Sequence, residues 1–385
     1  MQNPVQIPLS LYIHIPFCAQ KCPYCDFNSA KISFDEQAYL AALIDDLRRD
    51  VEIFELNGRQ IKSIFFGGGT PSLFSTRAIA EILQAVGKII DIAENCEITL
   101  EANPNSAEVA KFAAYRQAGI NRISIGVQSF SDKNLKVLGR IHSSAEAKNA
   151  ILAAEKAGFS RINTDLIFAL PNQNIETALS DLRAAADYGI EHISWYQLTI
   201  EEGTAFFRAP PANLPDEEEI ADIFDSGREF LTAQGFEQYE ISAWTRNKKC
   251  RHNQNYWQFG DYIGIGAGAH GKISQAGGIF RTEKFSAVKK YLACSGKNLN
   301  PYAAAVKKIE KDAQVFEFML NALRLKNGVP RRFLSERTNL TAEEIDGLIQ
   351  DLIARGLLAN DRDFYRTTEF GFNHLNIILE EFIPN

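Results

Sequence analysis

Runs of apolar and β-branched residues alternate with amphipathic segments over the first two hundred residues of the chain. The apolar runs predict buried strands at residues 9–17, 61–66, 97–101, 122–127, 161–168 and 192–200. Helical spacing of apolar residues predicts helices between them, at residues 36–56, 76–90, 107–118, 144–157 and 175–188. Three of these helices stop at a glycine, which suits the left-handed residue that often ends a helix: Gly119, Gly158 and Gly189.

Strands that alternate with helices in this way indicate right-handed βαβ units and one parallel sheet. The pattern alone allows either an open sheet or a rolled one. Several strands end in polar or glycine-bearing segments, and a barrel collects such strand ends on one face. We therefore predict an α/β fold with a partial, TIM-like (β/α)6 barrel.

The pattern changes after residue 200. Prolines at positions 210, 211 and 215 break the chain before an acidic helix that begins near Asp216. A segment rich in glycine and aromatic residues follows, and the chain turns helical again from about Ala305, with a helix at 342–355 leading into a hairpin at 357–372. We predict a barrel at residues 1–235, a connecting segment at 236–304 and a C-terminal α+β, winged-helix-like domain at 305–385.

Charge argues against nucleic-acid binding. The 385 residues include 48 acidic and 41 basic side chains, a formal net charge of −7. Residues 311–385 contain 9 Lys or Arg and 12 Asp or Glu, a net of −3, so the winged-helix-like part has no basic surface for DNA. Residues 1–17 contain no Lys or Arg and no run is long and apolar enough for a transmembrane segment, which predicts a cytoplasmic protein.

Three of the six cysteines fall within eight residues, directly after the first predicted strand: Cys18, Cys22 and Cys25. Soft thiolate ligands select iron–sulfur clusters or zinc. Structural zinc takes four ligands, usually in two separated pairs, whereas this triplet is solitary and the nearby His14 and Asp26 belong to no second motif. Because three thiolates leave one iron of a [4Fe-4S] cluster open, we favour such a cluster over a zinc-stabilised binding module.

Further candidate residues lie at the ends of the next strands. Gly-Gly-Gly-Thr-Pro at 67–71 lets a ligand approach the backbone closely, although the same segment could be a simple turn. Glu101 ends the third strand, where a carboxylate can accept hydrogen bonds or simply be solvated. Asp165 lies within an apolar strand, which indicates either a ligand or a buried ion pair with Arg140 or Arg161.

The spacing Cys-x3-Cys-x-Tyr-Cys after a barrel's first strand resembles the signature of the radical S-adenosylmethionine (SAM) superfamily. The resemblance implies that the amino and carboxylate groups of SAM chelate the open iron, and that one electron from the cluster cleaves the sulfonium to give a 5′-deoxyadenosyl radical. It also implies SAM-binding roles, with Gln128, Arg140 and Asp165 contacting this SAM or a second one. The implied residues are Tyr12, Tyr24, Gly68, Gly69, Thr70, Glu101, Gln128, Arg140 and Asp165.

Within the superfamily, the whole chain resembles the group of oxygen-independent coproporphyrinogen III oxidase (HemN) and the HemW-type haem chaperones. Two departures separate it from the oxidase. Phe27 stands where the oxidase has a further cysteine, and only 17 residues precede Cys18, whereas the oxidase has a long N-terminal extension. We therefore expect a chaperone without decarboxylase activity, and keep the oxidase as the alternative.

The segment His-Asn-Gln-Asn-Tyr-Trp at 252–257 matches the His-Asn-x-x-Tyr-Trp motif of HemW-type proteins. The match implies that haem is the cargo, with His252 as its axial ligand and Tyr256 and Trp257 as stacking partners. His252 could instead be a structural histidine, Cys250 is a rival ligand, and Arg251 is placed by adjacency to meet a haem propionate. The implied partners are haem and haem-accepting proteins, including respiratory ones; peripheral membrane contact and a homodimer stay open.

Other motifs carry less weight. The segment Gly-Ala-Gly-Ala-His-Gly at 266–271 fits the dinucleotide-binding pattern, but it occurs late in the chain and has no ribose-binding acid at the expected spacing. It is better interpreted as a tight turn, with a possible place in the lining of the SAM pocket. Cys96 and Cys294 lie far from the other motifs and are predicted to be packing residues.

Overall fold

The computed structural model describes residues 7–294 and 296–384. Six strands run parallel in sequence order, so that each pairs with its predecessor and its successor along the chain. This is the predicted parallel (β/α)6 arrangement. The strands are β1 (Leu9–Ile15), β2 (Gln60–Gly68), β3 (Asp91–Ala102), β4 (Arg122–Gln128), β5 (Ile162–Phe168) and β6 (His192–Gln197).

Six further strands extend both edges of the same sheet, which therefore has twelve strands in the order β12-β11-β10-β9-β1-β2-β3-β4-β5-β6-β8-β7. β9 pairs in parallel with β1, whereas β10–β12 continue antiparallel, and β8 and β7 add antiparallel to β6. The segment 236–304 thus contributes strands to both edges of the barrel sheet. These strands are β7 (Glu237–Glu240), β8 (Ala243–Thr245), β9 (Asp261–Ile265), β10 (His270–Gln275), β11 (Gly278–Lys284) and β12 (Ala303–Lys308).

Helices cover the outer face of the sheet. Gly119, Gly158 and Gly189 follow helices with φ values of 115°, 84° and 69°, so these three glycines do adopt the expected left-handed conformation. The helices up to residue 293 are α1 (Glu36–Ile53), α2 (Thr76–Ile89), α3 (Ser106–Val109), α4 (Phe112–Ala118), α5 (Asp132–Val137), α6 (Ser144–Lys156), α7 (Ile175–Asp187), α8 (Ala205–Arg208), α9 (Glu217–Ala233), α10 (Arg251–Trp257) and α11 (Val288–Ala293).

Alternation along the strands separates two environments. In β4, Ile123, Ile125 and Val127 are fully buried and belong to the core between the sheet and the helices. The alternate positions, Arg122 and Ser124, face cavities inside the barrel. Because side chains of successive residues point to opposite faces of a sheet, each strand supplies both the helix-facing core and the polar lumen. The lumen therefore differs from that of a barrel filled with branched apolar side chains.

Within the parallel part of the fold, the third strand and the third helix differ most from the sequence-based expectation. The third strand begins six residues earlier than predicted, because Asp91 and Ile92 pair with Gln60 and Ile61 of β2 although the segment is polar. The predicted helix at 107–118 is divided into α3 and α4.

The C-terminal region packs in a second hydrophobic core, to which residues of the segment 239–279 also contribute. β12 runs to Lys308, so the helical part begins at Lys311 rather than near Ala305. The predicted hairpin at 357–372 is reduced to one bridge between Leu358 and Thr367, and β14 pairs with β13 instead. The elements are α12 (Lys311–Ala322), β13 (Val329–Pro330), α13 (Arg332–Arg337), α14 (Asp346–Ala354), β14 (Phe364–Tyr365), α15 (Glu369–Asn373) and α16 (Leu375–Glu380). Within the described residues, no helix combines the length and apolar character needed to cross a bilayer.

Candidate functional site

Two cavities lie side by side within the barrel, with volumes of about 400 and 640 Å³. The smaller cavity opens between the cysteine loop and the carboxyl ends of the strands, and the larger one extends along the lumen towards α10. Six residues line both cavities and form their common wall: Phe27, Gly68, Glu101, Ser124, Asp165 and Tyr196. A ligand in one cavity would therefore be a close neighbour of a ligand in the other.

The cysteine loop is anchored by its backbone. The amide of Cys18 donates to the carbonyl of Ala30 (3.0 Å), and the amide of Ala30 donates to the carbonyl of Pro16 (2.8 Å). Inside the loop, the amide of Cys25 donates to the carbonyl of Cys22 (3.2 Å). All three cysteines line the smaller cavity, as expected for residues that share one cluster.

The surroundings of the thiols fit a [4Fe-4S] cluster. The Thr70 hydroxyl donates to the sulfur of Cys18 (3.6 Å), and the Arg140 guanidinium donates to the sulfur of Cys22 (3.5 Å). Burial raises the pKa of Cys18 and of Cys25, so their thiolates need the positive charge that iron ions supply. Three cysteines around one cavity, with donors directed at their sulfurs, are suited to ligating three irons and leaving the fourth open.

The glycine-rich end of β2 lies against this loop. Gly68 has a φ of 110°, and a Cβ atom there would lie 2.5 Å from the ring of His14. The amides of Gly69 and Thr70 donate to the carbonyls of Ile15 and Phe17, both at 2.8 Å. The segment is thus more than a surface turn, because it joins the second strand to the cysteine loop and lines the smaller cavity.

Polar residues from β3 to β5 complete the smaller cavity. Burial, with the nearby Asp165 carboxylate, raises the pKa of Glu101 to about 8. Gln128 adopts a φ of 67°, which is rare for a residue other than glycine, at the point where β4 ends. Arg140 donates to the side chain of Asn103 (2.5 Å) and to the carbonyl of Gly126 (2.9 Å).

Of the two alternatives for Asp165, the ion pair with an arginine is not observed. Asp165 accepts hydrogen bonds from Ser124 (3.0 Å) and Asn163 (2.8 Å), whereas Arg140 and Arg161 bond to other groups. These hydrogen bonds, one from the neighbouring β4 and one from β5 itself, satisfy the carboxylate without a cation, and burial raises the pKa of Asp165.

The two tyrosines lie in different cavities. Tyr24 lines the smaller cavity, as expected of a SAM contact. Tyr12 lines the larger one, where its hydroxyl bonds to Nδ1 of His14 (2.8 Å) and its ring stacks on Phe65. The structure therefore brings Tyr24 and the other predicted SAM residues together around the smaller cavity, with Tyr12 apart from them.

The motif at 252–257 forms α10 and closes the larger cavity. Its amino end is fixed because the amide of Arg251 donates to the Glu97 carboxylate (2.8 Å). His252 is buried, stacks on Phe65 with ring centroids 4.0 Å apart, and lies 3.1 Å from the Cys250 sulfur through Nδ1. Burial lowers the pKa of His252 more than Glu97 raises it, so the imidazole is neutral at neutral pH.

Aromatic rings, including those of Tyr256, Trp257 and Tyr262, line part of the larger cavity, and polar side chains of the barrel strands line the rest. The expected propionate contact of Arg251 is not supported, because its guanidinium donates to the carbonyl of Asn95 outside the lining. The glycine-rich segment at 266–271 is a turn between β9 and β10, and its Gly268 lines the larger cavity rather than the smaller one.

Several cavity residues were not identified from the sequence. Arg122, Asn163 and Ser194 face the lumen, and Glu97 contacts both α10 and Arg161. The sequence does contain a pattern that marks them, because apolar and polar residues alternate through β4 and β6. This alternation shows that each strand has a polar face, but only the barrel structure shows that the polar face points into the lumen.

A cysteine-bearing loop after the first strand of a partial parallel barrel, facing a glycine-rich second strand end, defines the class of radical SAM proteins. The family model of the Radical SAM superfamily matches residues 12–185, and the family model of the HemN C-terminal domain matches residues 309–373. In fold, the chain is similar to coproporphyrinogen III oxidase (HemN) from Escherichia coli, with a TM-score of 0.82, 22% identity, and coverage of 99% of this chain and 91% of that one.

Comparison with curated relatives identifies the family of the chain within this class. The chain is 46% identical over 382 residues to the heme chaperone HemW of Haemophilus influenzae, and 45% identical over 380 residues to that of Escherichia coli K12. Each alignment covers 98% of both proteins. The chain belongs to the HemW family.

Proposed function

We propose that the protein is a haem chaperone: it binds haem in the larger cavity, carries a [4Fe-4S] cluster and SAM in and beside the smaller one, and transfers haem to acceptor proteins. The observation that carries the proposal is a buried imidazole next to aromatic rings, in a cavity of about 640 Å³ that polar side chains also line. A cavity of this size lies in the range that encloses a cofactor-sized ligand. The names of the HemW relatives support the same cargo.

Among the histidines that line the larger cavity, His252 is the best candidate for the iron ligand. Both ring nitrogens of His14 are engaged, Nδ1 with Tyr12 and Nε2 with the carbonyl of Asn28, each at 2.8 Å. His270 is exposed at the edge. Imidazole is a common axial ligand of haem, and the stacking of His252 on Phe65 fixes the plane of its ring. Burial raises the pKa of the Cys250 thiol to about 12, which makes it a weaker rival.

In the smaller cavity, Cys18, Cys22 and Cys25 would hold the cluster. Bound SAM with a reduced [4Fe-4S] cluster supplies a one-electron route to a 5′-deoxyadenosyl radical. The backbone at 68–70 would hold the methionine end of SAM, and Glu101 would accept from its ribose hydroxyls. Gln128, Arg140, Asp165 and Tyr24 would line the remainder of the SAM site.

We expect no coproporphyrinogen decarboxylation. Phe27 is largely exposed and lines both cavities, at the position where the resemblance places a cysteine in the oxidase. Hydrogen abstraction requires a porphyrinogen side chain to be positioned for attack by a dedicated set of groups. Location in the cytoplasm, respiratory acceptors and a homodimer are further parts of the proposal.

Haem titration followed by the Soret band tests the cargo. The parent should bind haem and pass it to a haem-depleted b-type cytochrome, and His252→Ala should weaken haem binding and shift the Soret band while the iron–sulfur content stays unchanged. His374→Ala removes an exposed imidazole in the C-terminal region and serves as the control. Equal Soret bands and affinities for parent and His252→Ala would reject His252 as the ligand. Production of protoporphyrinogen from coproporphyrinogen under anaerobic, reducing conditions would favour the oxidase.

A further inference from the structure

Arg122 is a cation inside the barrel. It is the first residue of β4, its residue surface is only 3% exposed, and it lines the larger cavity. Neither the sequence motifs nor the proposed cluster, SAM and haem-iron contacts use it. A charged side chain in such a position needs a partner, because removing an unpaired ion from water costs free energy.

Within residues 7–294 and 296–384, no carboxylate oxygen lies within 4.0 Å of the Arg122 guanidinium, and no group accepts a hydrogen bond from it; only longer-range charges act on it. Other cations near the cavity do have partners. Lys272 contacts the Asp261 carboxylate at 3.1 Å, and Arg281 contacts Glu317. Arg122 therefore differs from its neighbours in having free donors directed at the cavity.

The two carboxylates whose charges raise the pKa of Arg122, those of Glu97 and Asp165, are already engaged by other groups. Glu97 pairs with Arg161 and accepts from the amide at the start of α10. Asp165 accepts from Ser124 and Asn163. Burial acts to lower the pKa of Arg122, but Cys250 and Glu97 raise it further, so the guanidinium stays charged.

We propose that Arg122 binds a carboxylate of the ligand in the larger cavity. A guanidinium presents a planar set of donors that matches a carboxylate in two parallel hydrogen bonds. The inference rests on the proposed function, in which the ligand is haem and the carboxylate is a propionate. It makes Arg122 a residue that selects porphyrins with a free acid group and fixes which edge of the ring points towards the start of β4.

The test compares two ligands that share iron and ring: haem, and its dimethyl ester, in which both propionates are blocked. Soret titrations with the full chain give the affinity ratio of haem to ester for the parent, for Arg122→Met, and for Arg228→Met as a matched control. Arg228 is a half-buried cation that pairs with Asp225 and Glu369, and it lies outside the lining of both cavities. Comparing the ratio among variants cancels differences in ligand solubility.

The parent should favour haem over the ester by about ten- to a hundredfold, which is the range of a charge-assisted contact. Arg122→Met should abolish most of that preference with little change in ester affinity, and Arg228→Met should keep the ratio. Equal binding of the two ligands by the parent, or an intact preference in Arg122→Met, would overturn the inference and leave the proposed function standing. If the parent binds neither ligand, the proposed function itself fails. If Arg122→Met does not fold, Arg122→Lys provides the test. A lower ratio of haem affinity to ester affinity in Arg122→Lys than in the parent supports the inference, and an unchanged ratio overturns it.

Discussion

The two cavities share a wall but are assembled differently. The smaller cavity is made of short continuous segments, such as residues 18–29 and 68–70, that follow the carboxyl ends of neighbouring strands. The larger one is made of single inward-facing side chains from β1–β6, joined by α10, β9–β11 and one residue of α12. One site is therefore encoded locally, and the other depends on which residues the register of the sheet brings together.

Because the two cavities are assembled differently, we expect them to respond differently to amino-acid substitutions. Residues around the smaller cavity are held by backbone geometry, as Gly68 is by its φ of 110° and its contact with His14. Residues around the larger cavity are held by side-chain networks between distant segments, such as Glu97 with Arg161 and α10. The following predictions ask whether one cavity can be disabled without the other.

The largest effect should follow from Cys18→Ser. Removing one of three thiolate ligands should reduce the iron and sulfide retained after anaerobic reconstitution from about four each to nearly none, as the composition of the cluster requires. Haem binding, followed by the Soret band, should persist because the larger cavity uses none of the three cysteines.

Cys96→Ala is the control, since Cys96 is buried in β3 away from both cavities. It should retain the parental iron and sulfide content. Loss of haem binding together with the cluster in Cys18→Ser would contradict the independence of the two cavities.

A smaller effect is expected from Gly68→Ala, which changes the common wall. The new Cβ would contact His14 and impose strain at a positive φ, so we expect a loss of stability of about 1–3 kcal/mol. SAM affinity, measured by anaerobic calorimetry on cluster-loaded protein, should fall at least about tenfold, or roughly 1.4 kcal/mol.

Gly158→Ala is a control that introduces backbone strain at a positive φ without a new side-chain contact. Gly158 also has a positive φ, of 84°, but a Cβ there would meet nothing within 4 Å. This variant should lose about 1 kcal/mol of stability and keep its SAM affinity. If the two variants bind SAM equally well, the close approach of Gly68 to His14 does not matter for the site.

The sequence predicts the barrel and the smaller cavity for the same physical reason. In both cases the pattern lies within a few consecutive residues. Apolar runs such as residues 122–127 identify strands whatever their partners are, and the spacing of the cysteines in residues 18–25 brings the three thiols together within one loop. β7 and β8 are short, and the segment preceding Cys96 is polar. These segments therefore join the sheet through hydrogen bonds to neighbouring strands, and the apolar pattern of the sequence does not reveal them.

The larger cavity shows why the rest is harder to predict. Glu97 and His252 lie 3.7 Å apart but are separated by more than 150 residues, and nothing in either segment indicates the other. The polar positions of β4 could have faced solvent, which would have made Arg122 an ordinary surface charge. The sequence left Asp165 open as a ligand or as half of an ion pair, whereas hydrogen bonds from Ser124 in the adjacent strand and from Asn163 in its own strand satisfy the carboxylate.

The smallest effect concerns the charge of Glu101 in the common wall. In the protein without SAM, its pKa of about 8 exceeds the ordinary glutamate value of 4.5, so between these values the folded state binds a proton that the unfolded chain has released. The free energy of unfolding of the parent should therefore decline as pH rises from 5 to 8. Glu101→Gln cannot ionise, and its stability relative to the parent should improve by about 1 kcal/mol between pH 7 and pH 8.

Urea unfolding of the SAM-free protein at pH 7 and pH 8 measures this difference. Glu155→Gln, which removes an exposed carboxylate on α6, should follow the parent at both pH values. A Glu101→Gln variant that also follows the parent would mean that water in the two cavities solvates the carboxylate as well as bulk water does. Glu101 would then be charged before any ligand arrives. In the proposed arrangement, by contrast, the hydroxyl groups of bound SAM replace that water, and their hydrogen bonds should lower the pKa of Glu101 and make SAM binding release a proton.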